Sequence, residues 1–204
     1  MSGPPPVPPL ETPGRRREEI PSAASQRIAS RRSKRTAQVA IAAMYAALYV
    51  TLALAFGPIS YGQLQMRVAN VLLGLIPILG WPAVIGQGIG VFLANMESPL
   101  GPIDLLNAVP SVVFSWVIWK LRRVSVFLGL TIYSAGLGVT VALALSYAFH
   151  LPFELPVSLG FVTITLPLPV VIMAGIFGAT AVLGYIFYRA MDRTGIGSYI
   201  ENRI

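Results

Sequence analysis

From Ala37 to Tyr188 the chain is a succession of apolar runs, interrupted only by short stretches bearing Gly, Pro or charge. TAQVAIAAMYAALYVTLALAF (36–56) and VSVFLGLTIYSAGLGVTVALALSYAF (124–149) are each about as long as a helix needs to cross a ~30 Å hydrocarbon core. An ordinary soluble domain cannot hide several such runs at once. The chain is 55% hydrophobic and 11% charged, where soluble domains average roughly 45–50% and ~25%. The pattern therefore predicts an all-α, multi-pass protein of the cell membrane.

Six segments are expected, at 37–56, 67–80, 82–96, 103–119, 125–149 and 167–188. The second and third reach only about 21–23 Å at ~1.5 Å per residue, and only Gly80, Trp81 and Pro82 separate them. They could form one broken crossing, but charge argues against it. With six crossings, the basic N-terminal stretch, Lys120, Arg122, Arg123, Arg189, Arg193 and Arg203 share one side. The opposite loops then carry Glu97, Asp104 and Glu154, with Arg67 as their one cation. Excess Lys and Arg mark cytoplasmic loops, so both termini are expected in the cytoplasm. The net charge of +7 thus reads as topology and not as a nucleic-acid groove.

Residues 1–36 are expected to be a separate, extended tail: MSGPPPVPPLETPG is too rich in proline to build a core. Residues 191–204 form a short C-terminal tail. The chain has no cysteine and a single histidine, His150, so neither a metal site nor a cofactor is expected. Its eight acidic residues are scattered, without the carboxylate pair or Ser/Lys dyad of intramembrane catalysis. No enzymatic activity is expected.

Polar residues inside membrane segments are expensive and mark pathways or binding sites. FGPISYGQLQMRVAN (56–70) gathers Tyr61, Gln63, Gln65, Arg67 and Asn70 at one segment boundary. Asp104, Asn107, Ser111 and Ser115 follow i, i+3, i+7, i+11, one face of a helix. Gln87 and Asn95 add a similar face among Gly86, Gly88 and Gly90. Short segments interrupted by Gly or Pro and carrying polar groups are where transporters hold their ligands. Arg67 has a plainer reading as an interfacial arginine reaching headgroups, which leaves the flanking amides unexplained. In the first segment, Ala42 and Ala46, and Ala43 and Ala47, lie four apart, allowing close helix approach. That approach is either internal or toward a second membrane subunit. The connection HLPFELPVSLGFVTITLPLP (150–169) contains a strand-like alternation, either a lid or an ordinary surface hairpin.

The 56–70 block, taken with GQGIGVFLANMESPLGPIDLLNAVPS (86–111), resembles the QueT family of substrate-binding S components of energy-coupling-factor (ECF) transporters. The similarity runs over residues 37–120 and more weakly to 190. It implies a six-helix S component that binds a 7-deazaguanine precursor of queuosine or archaeosine from outside. It also implies docking, through an AxxxA face on the first helix, to a transmembrane coupling subunit driven by two ATPase subunits. The chain has no phosphate-binding Gly-x-x-x-x-Gly-Lys loop, so ATP hydrolysis is left to those partners. Relatives resemble R-[IV]-S-E-A-L where this chain reads Arg67-Val68-Ala69-Asn70-Val71-Leu72, so an amide replaces a carboxylate.

A 7-deazaguanine offers paired N1–H and 2-amino donors and an O6 acceptor. A carboxylate accepts both donors with charge assistance, and Arg67 or a glutamine can donate to O6. With Asn70 in the family's acidic position, Asp104 is the preferred acceptor and Glu154 the second. Loss of that carboxylate favours a neutral 7-cyano group over a cationic 7-aminomethyl group. The alternative is a stand-alone carrier for another purine-like or vitamin solute.

Overall fold

A computed structural model describes residues 3, 23–57, 66–98, 101–150, 152–159, 162–195 and 197. Of these, α1 spans Ala23–Ala55. It begins well inside the stretch expected to be an extended tail, which is corrected here for residues 23–36. After Pro21 no proline or glycine occurs until Gly57, so nothing stops the helix from running on through SQRIASRRSKRT. At ~1.5 Å per residue α1 is about 50 Å long, well beyond a hydrocarbon core. Arg31, Arg32, Lys34 and Arg35 stand exposed on its overhanging end.

The next helix, α2, covers Val68–Leu79, and its first eight residues, Val68–Leu75, are a 3₁₀ helix. Such runs rarely exceed 3–4 residues. Three residues per turn stacks every third side chain, and Arg67, Asn70, Leu73 and Ile76 are all buried along that line. Gly80, at φ 70°, turns the chain into α3, Trp81–Met96, with Pro82 in its first turn. A left-handed φ is inexpensive only for glycine, which explains why two short helices replace one long one.

Pro102–Leu121 forms α4, entered through Gly101 and Pro102 and interrupted by a turn at Leu106–Asn107. The 24-residue α5, Val126–Phe149, is capped by Ser125, whose Oγ accepts from Leu128 N at 3.2 Å. Strands β1 (Glu154–Leu159) and β2 (Val162–Pro167) pair antiparallel, from Glu154↔Pro167 to Leu159↔Val162. The expected alternation is thus a hairpin. β2 leads directly into α6, Leu168–Asp192, which contains a π-helical stretch at Gly178–Leu183.

Among the described residues, four helices are long and apolar enough to cross a bilayer: Arg31–Ala55 of α1, α4, Val126–Ala148 of α5, and α6. The short α2 and α3 lie among them. α3 packs on α1 through Gly86 and Gly90: a Cβ on Gly86 would sit 2.6 Å from the Ala42 carbonyl oxygen, and one on Gly90 2.9 Å from Tyr49 Cβ. On another side of α3, a Cβ on Gly88 would run into the Val112 side chain of α4. α2 meets α6 as closely, since a Cβ on Gly74 would collide with the Gly184 carbonyl. Tyr49, Leu73, Ile118, Leu130, Tyr133 and Ile172 are fully buried where these helices converge.

Candidate functional site

The two buried charged residues among those described, Arg67 and Asp104, face one another. Arg67 Nη2 donates to Asp104 Oδ2 at 3.3 Å. Asn107 Nδ2 donates to Asp104 Oδ1 at 2.6 Å, and Asn95 Nδ2 to the Asp104 main-chain oxygen at 2.7 Å. Arg67, which opens α2, and Asn107 of α4 therefore converge on one carboxylate, while Asn95 of α3 holds the backbone beneath it. A buried charge without a partner is costly, and an ion pair with further hydrogen bonds is how proteins tolerate it. The Arg67–Asp104 contact is longer than the 2.7–2.9 Å of an optimal charged hydrogen bond.

Deeper in the bundle, Tyr49 OH donates to Asn70 Oδ1 at 3.0 Å. Beneath that, Tyr45 OH donates to Gln87 Oε1 at 3.1 Å, and Gln87 Nε2 to Tyr133 Oη at 3.4 Å. Tyr133 OH donates in turn to Ser111 Oγ, also at 3.4 Å. The chain of donors ties α1, α3, α5 and α4 together. The Asn95 Oδ1, Ser115 Oγ and Thr180 Oγ1 atoms are buried without a hydrogen-bond partner among the described residues.

A cavity of about 20 Å³ lies between the two networks. Tyr49, Arg67, Asn70, Asn107 and Ser111 form its polar wall, and Leu137, Val141 and Ile176 of α5 and α6 its apolar wall. That volume accommodates one water and little more. One wall offers donors and acceptors and the other offers hydrocarbon.

Of the residues singled out from sequence, Arg67, Asn70, Asn95, Asp104 and Asn107 come together here. Gln87 is buried nearby, but both ends of its amide are engaged by tyrosines. Glu154 stands exposed at the start of β1, and no residue of the hairpin lines the cavity among those described. Tyr61, Gln63 and Gln65 lie outside the described residues. Sequence reasoning missed Tyr45, Tyr49 and Tyr133. Tyr45 and Tyr49 could have been found as phenols four residues apart on one face of an apolar helix, since buried Tyr hydroxyls seek partners. The alanine pairs of α1 divide: Ala46 is buried and Ala42 partly so, against Gly86, whereas Ala43 and Ala47 are exposed.

An apolar helical bundle closing around a paired charge and buried amides defines a membrane protein with a polar interior. The chain belongs to the QueT transporter family, whose model matches residues 39–193. No curated protein and no solved structure matches it. It is therefore a membrane transport protein of a family that is not enzymatic.

Proposed function

We propose that the chain is the substrate-binding S component of an ECF importer, taking up a 7-deazaguanine precursor of queuosine or archaeosine. In this reading six helices cross the cell membrane, both termini are cytoplasmic, and the Arg67–Asp104 site opens toward the outside. The observation that carries the proposal is Asp104. It is the one buried carboxylate among the described residues, held just behind the cavity by Arg67 and Asn107, which both line its polar wall. Asp104 accepts the N1–H and 2-amino donors of the ring, Arg67 donates to O6, and Leu137, Val141 and Ile176 cover the ring face. Tyr61, Gln63 and Gln65 remain candidates for the same site.

The cavity as it stands is too small for a bicyclic ring, so binding parts the polar wall from the apolar one. The ligand then takes over hydrogen bonds that Arg67, Asp104 and Asn107 make to one another. Because Arg67 already neutralises Asp104, a cationic aminomethyl group meets no spare negative charge, which supports the 7-cyano compound as substrate.

Docking to a transmembrane coupling subunit, itself driven by two ATPase subunits, is assigned to Ala43 and Ala47. Ala42 and Ala46 are committed to packing within the bundle. Competition binding to the purified protein tests the substrate. Tight binding of 7-cyano-7-deazaguanine with weaker binding of the aminomethyl base is expected, and preference for unmodified guanine overturns the assignment. Uptake that persists without the partner ATPases would instead identify a stand-alone carrier.

A further inference from the structure

At the opposite end of the bundle from Asp104, the ends of α2, α4 and α6 enclose a second hollow of about 280 Å³. Pro77 and Ile78 give it an apolar side, while Arg122, Arg123, Tyr188 and Asp192 supply its polar groups. We propose that this hollow binds the phosphodiester headgroup of an anionic phospholipid, with its acyl chains running along the adjoining apolar flank.

Charge is the first argument. The two guanidinium groups outnumber the single carboxylate, and neither is ion-paired among the described residues. Arg122 is held in place without being neutralised: its Nη1 donates to the Trp119 main-chain oxygen at 3.1 Å, and its guanidinium lies 5.0 Å from the Trp119 ring centre. Those contacts leave N–H groups free to meet phosphate oxygens, and a guanidinium fork suits two of them at once. Tyr188 adds a hydroxyl donor. Asp192 offers acceptors for hydroxyls on the headgroup, as in a phosphoglycerol.

Depth is the second argument. Trp81 and Trp119 pack with ring centres 6.0 Å apart, and Lys120 Nζ lies 5.3 Å from the Trp116 ring and 5.0 Å from that of Trp119. Tryptophans mixed with basic side chains mark the headgroup level of a bilayer, so the hollow opens where phosphates are densest. Val124, next to Arg123 in sequence, is an exposed apolar side chain suited to acyl chains. Basic pockets between membrane helices are a recurrent form of anionic-lipid site. A free phosphate shares the anion but leaves this apolar flank without a use. The headgroup chemistry is independent of the solute proposed for the Arg67 site; on the proposed orientation the hollow faces the inner leaflet, and that placement alone rests on it.

The test is native mass spectrometry of the full chain released from nanodiscs containing equal phosphatidylglycerol and phosphatidylcholine. Preferential retention of phosphatidylglycerol is expected, falling about fivefold for each arginine lost and roughly 25-fold in R122Q/R123Q. Retention in the wild type should also weaken with salt, a readout that survives if the double variant folds poorly. Binding of a 7-deazaguanine should be the same in R122Q/R123Q as in the wild type. The proposal is overturned by equal retention of the two lipids, or by unchanged retention in a folded R122Q/R123Q. Displacement of the lipid by equimolar inorganic phosphate would make the occupant a soluble anion. If the double variant loses a co-purifying protein while keeping its lipid, the hollow is instead a partner contact.

Discussion

Arg67 and Asp104 are 37 positions apart in sequence and 3.3 Å apart in the bundle, each stripped of nearly all solvent. Neither could be buried alone, because desolvating one charge costs several kcal/mol that only its partner and neighbouring hydrogen bonds recover. Together they form the core of the proposed binding site.

The first prediction concerns that pair. R67A should destabilise the protein by about 3–5 kcal/mol, because it leaves Asp104 buried and unpaired. R67M/D104L, which removes both charges, should recover most of that loss without recovering ligand binding. Melting curves in detergent together with calorimetric titration would measure both. Unchanged melting and affinity in R67A would return Arg67 to the role of an interfacial arginine.

Tyr49 supplies the second. Y49F removes the donor to Asn70 Oδ1, stranding a buried acceptor at a cost of about 1–3 kcal/mol. In a double-mutant cycle, N70L should largely cancel the effect of Y49F. Additive losses would show that the two side chains are not coupled.

Third, the α1–α3 crossing should be intolerant of a single methyl. G86A forces a Cβ to within 2.6 Å of the Ala42 carbonyl, and overpacking of this kind costs about 1–3 kcal/mol. At Gly178 a Cβ meets nothing within 4 Å, so G178A should melt as the wild type does. Comparing the two variants separates a packing effect from a general sensitivity of glycines.

The fourth prediction follows from the division of the alanine pairs. A43L/A47L should abolish co-purification with the coupling subunit while preserving the affinity for ligand. A42L/A46L should instead unfold the protein or lower its melting temperature sharply. Pull-down and melting measured on the same preparations decide between the two faces.

Much of the site could be read from sequence because a polar side chain in an apolar run is conspicuous. Asp104, Asn107 and Ser111 announce one face of α4 by spacing alone, and Arg67 with Asn70 stand out at a segment boundary. What spacing cannot supply is the choice of partner. Glu154 stood second to Asp104 as a candidate, and it is exposed at the start of β1, because which acid a buried arginine meets depends on helices distant in sequence. The same holds for Ala42 against Ala43, one residue and ~100° apart on the helix. Only the position of Gly86 decides which of them faces inward. The 3₁₀ run of α2 was also hidden, since VANVLLGL is equally compatible with an α-helix. The helical start at Ala23 was hidden for a different reason: SQRIASRRSKRT is polar and basic, with no apolar face to announce a helix.

Tyr45 and Tyr49 belong to the hydrogen-bonded interior, while Ala43 and Ala47, each two residues earlier, emerge roughly 200° around the same rod. A helix transmits rotation and tilt along its axis with little loss over a single turn. On the proposed reading, a push against the outward alanines would arrive at Tyr49 as a displacement of the cavity wall it lines, and a guest that moves that phenol would reshape the surface presented to a neighbour.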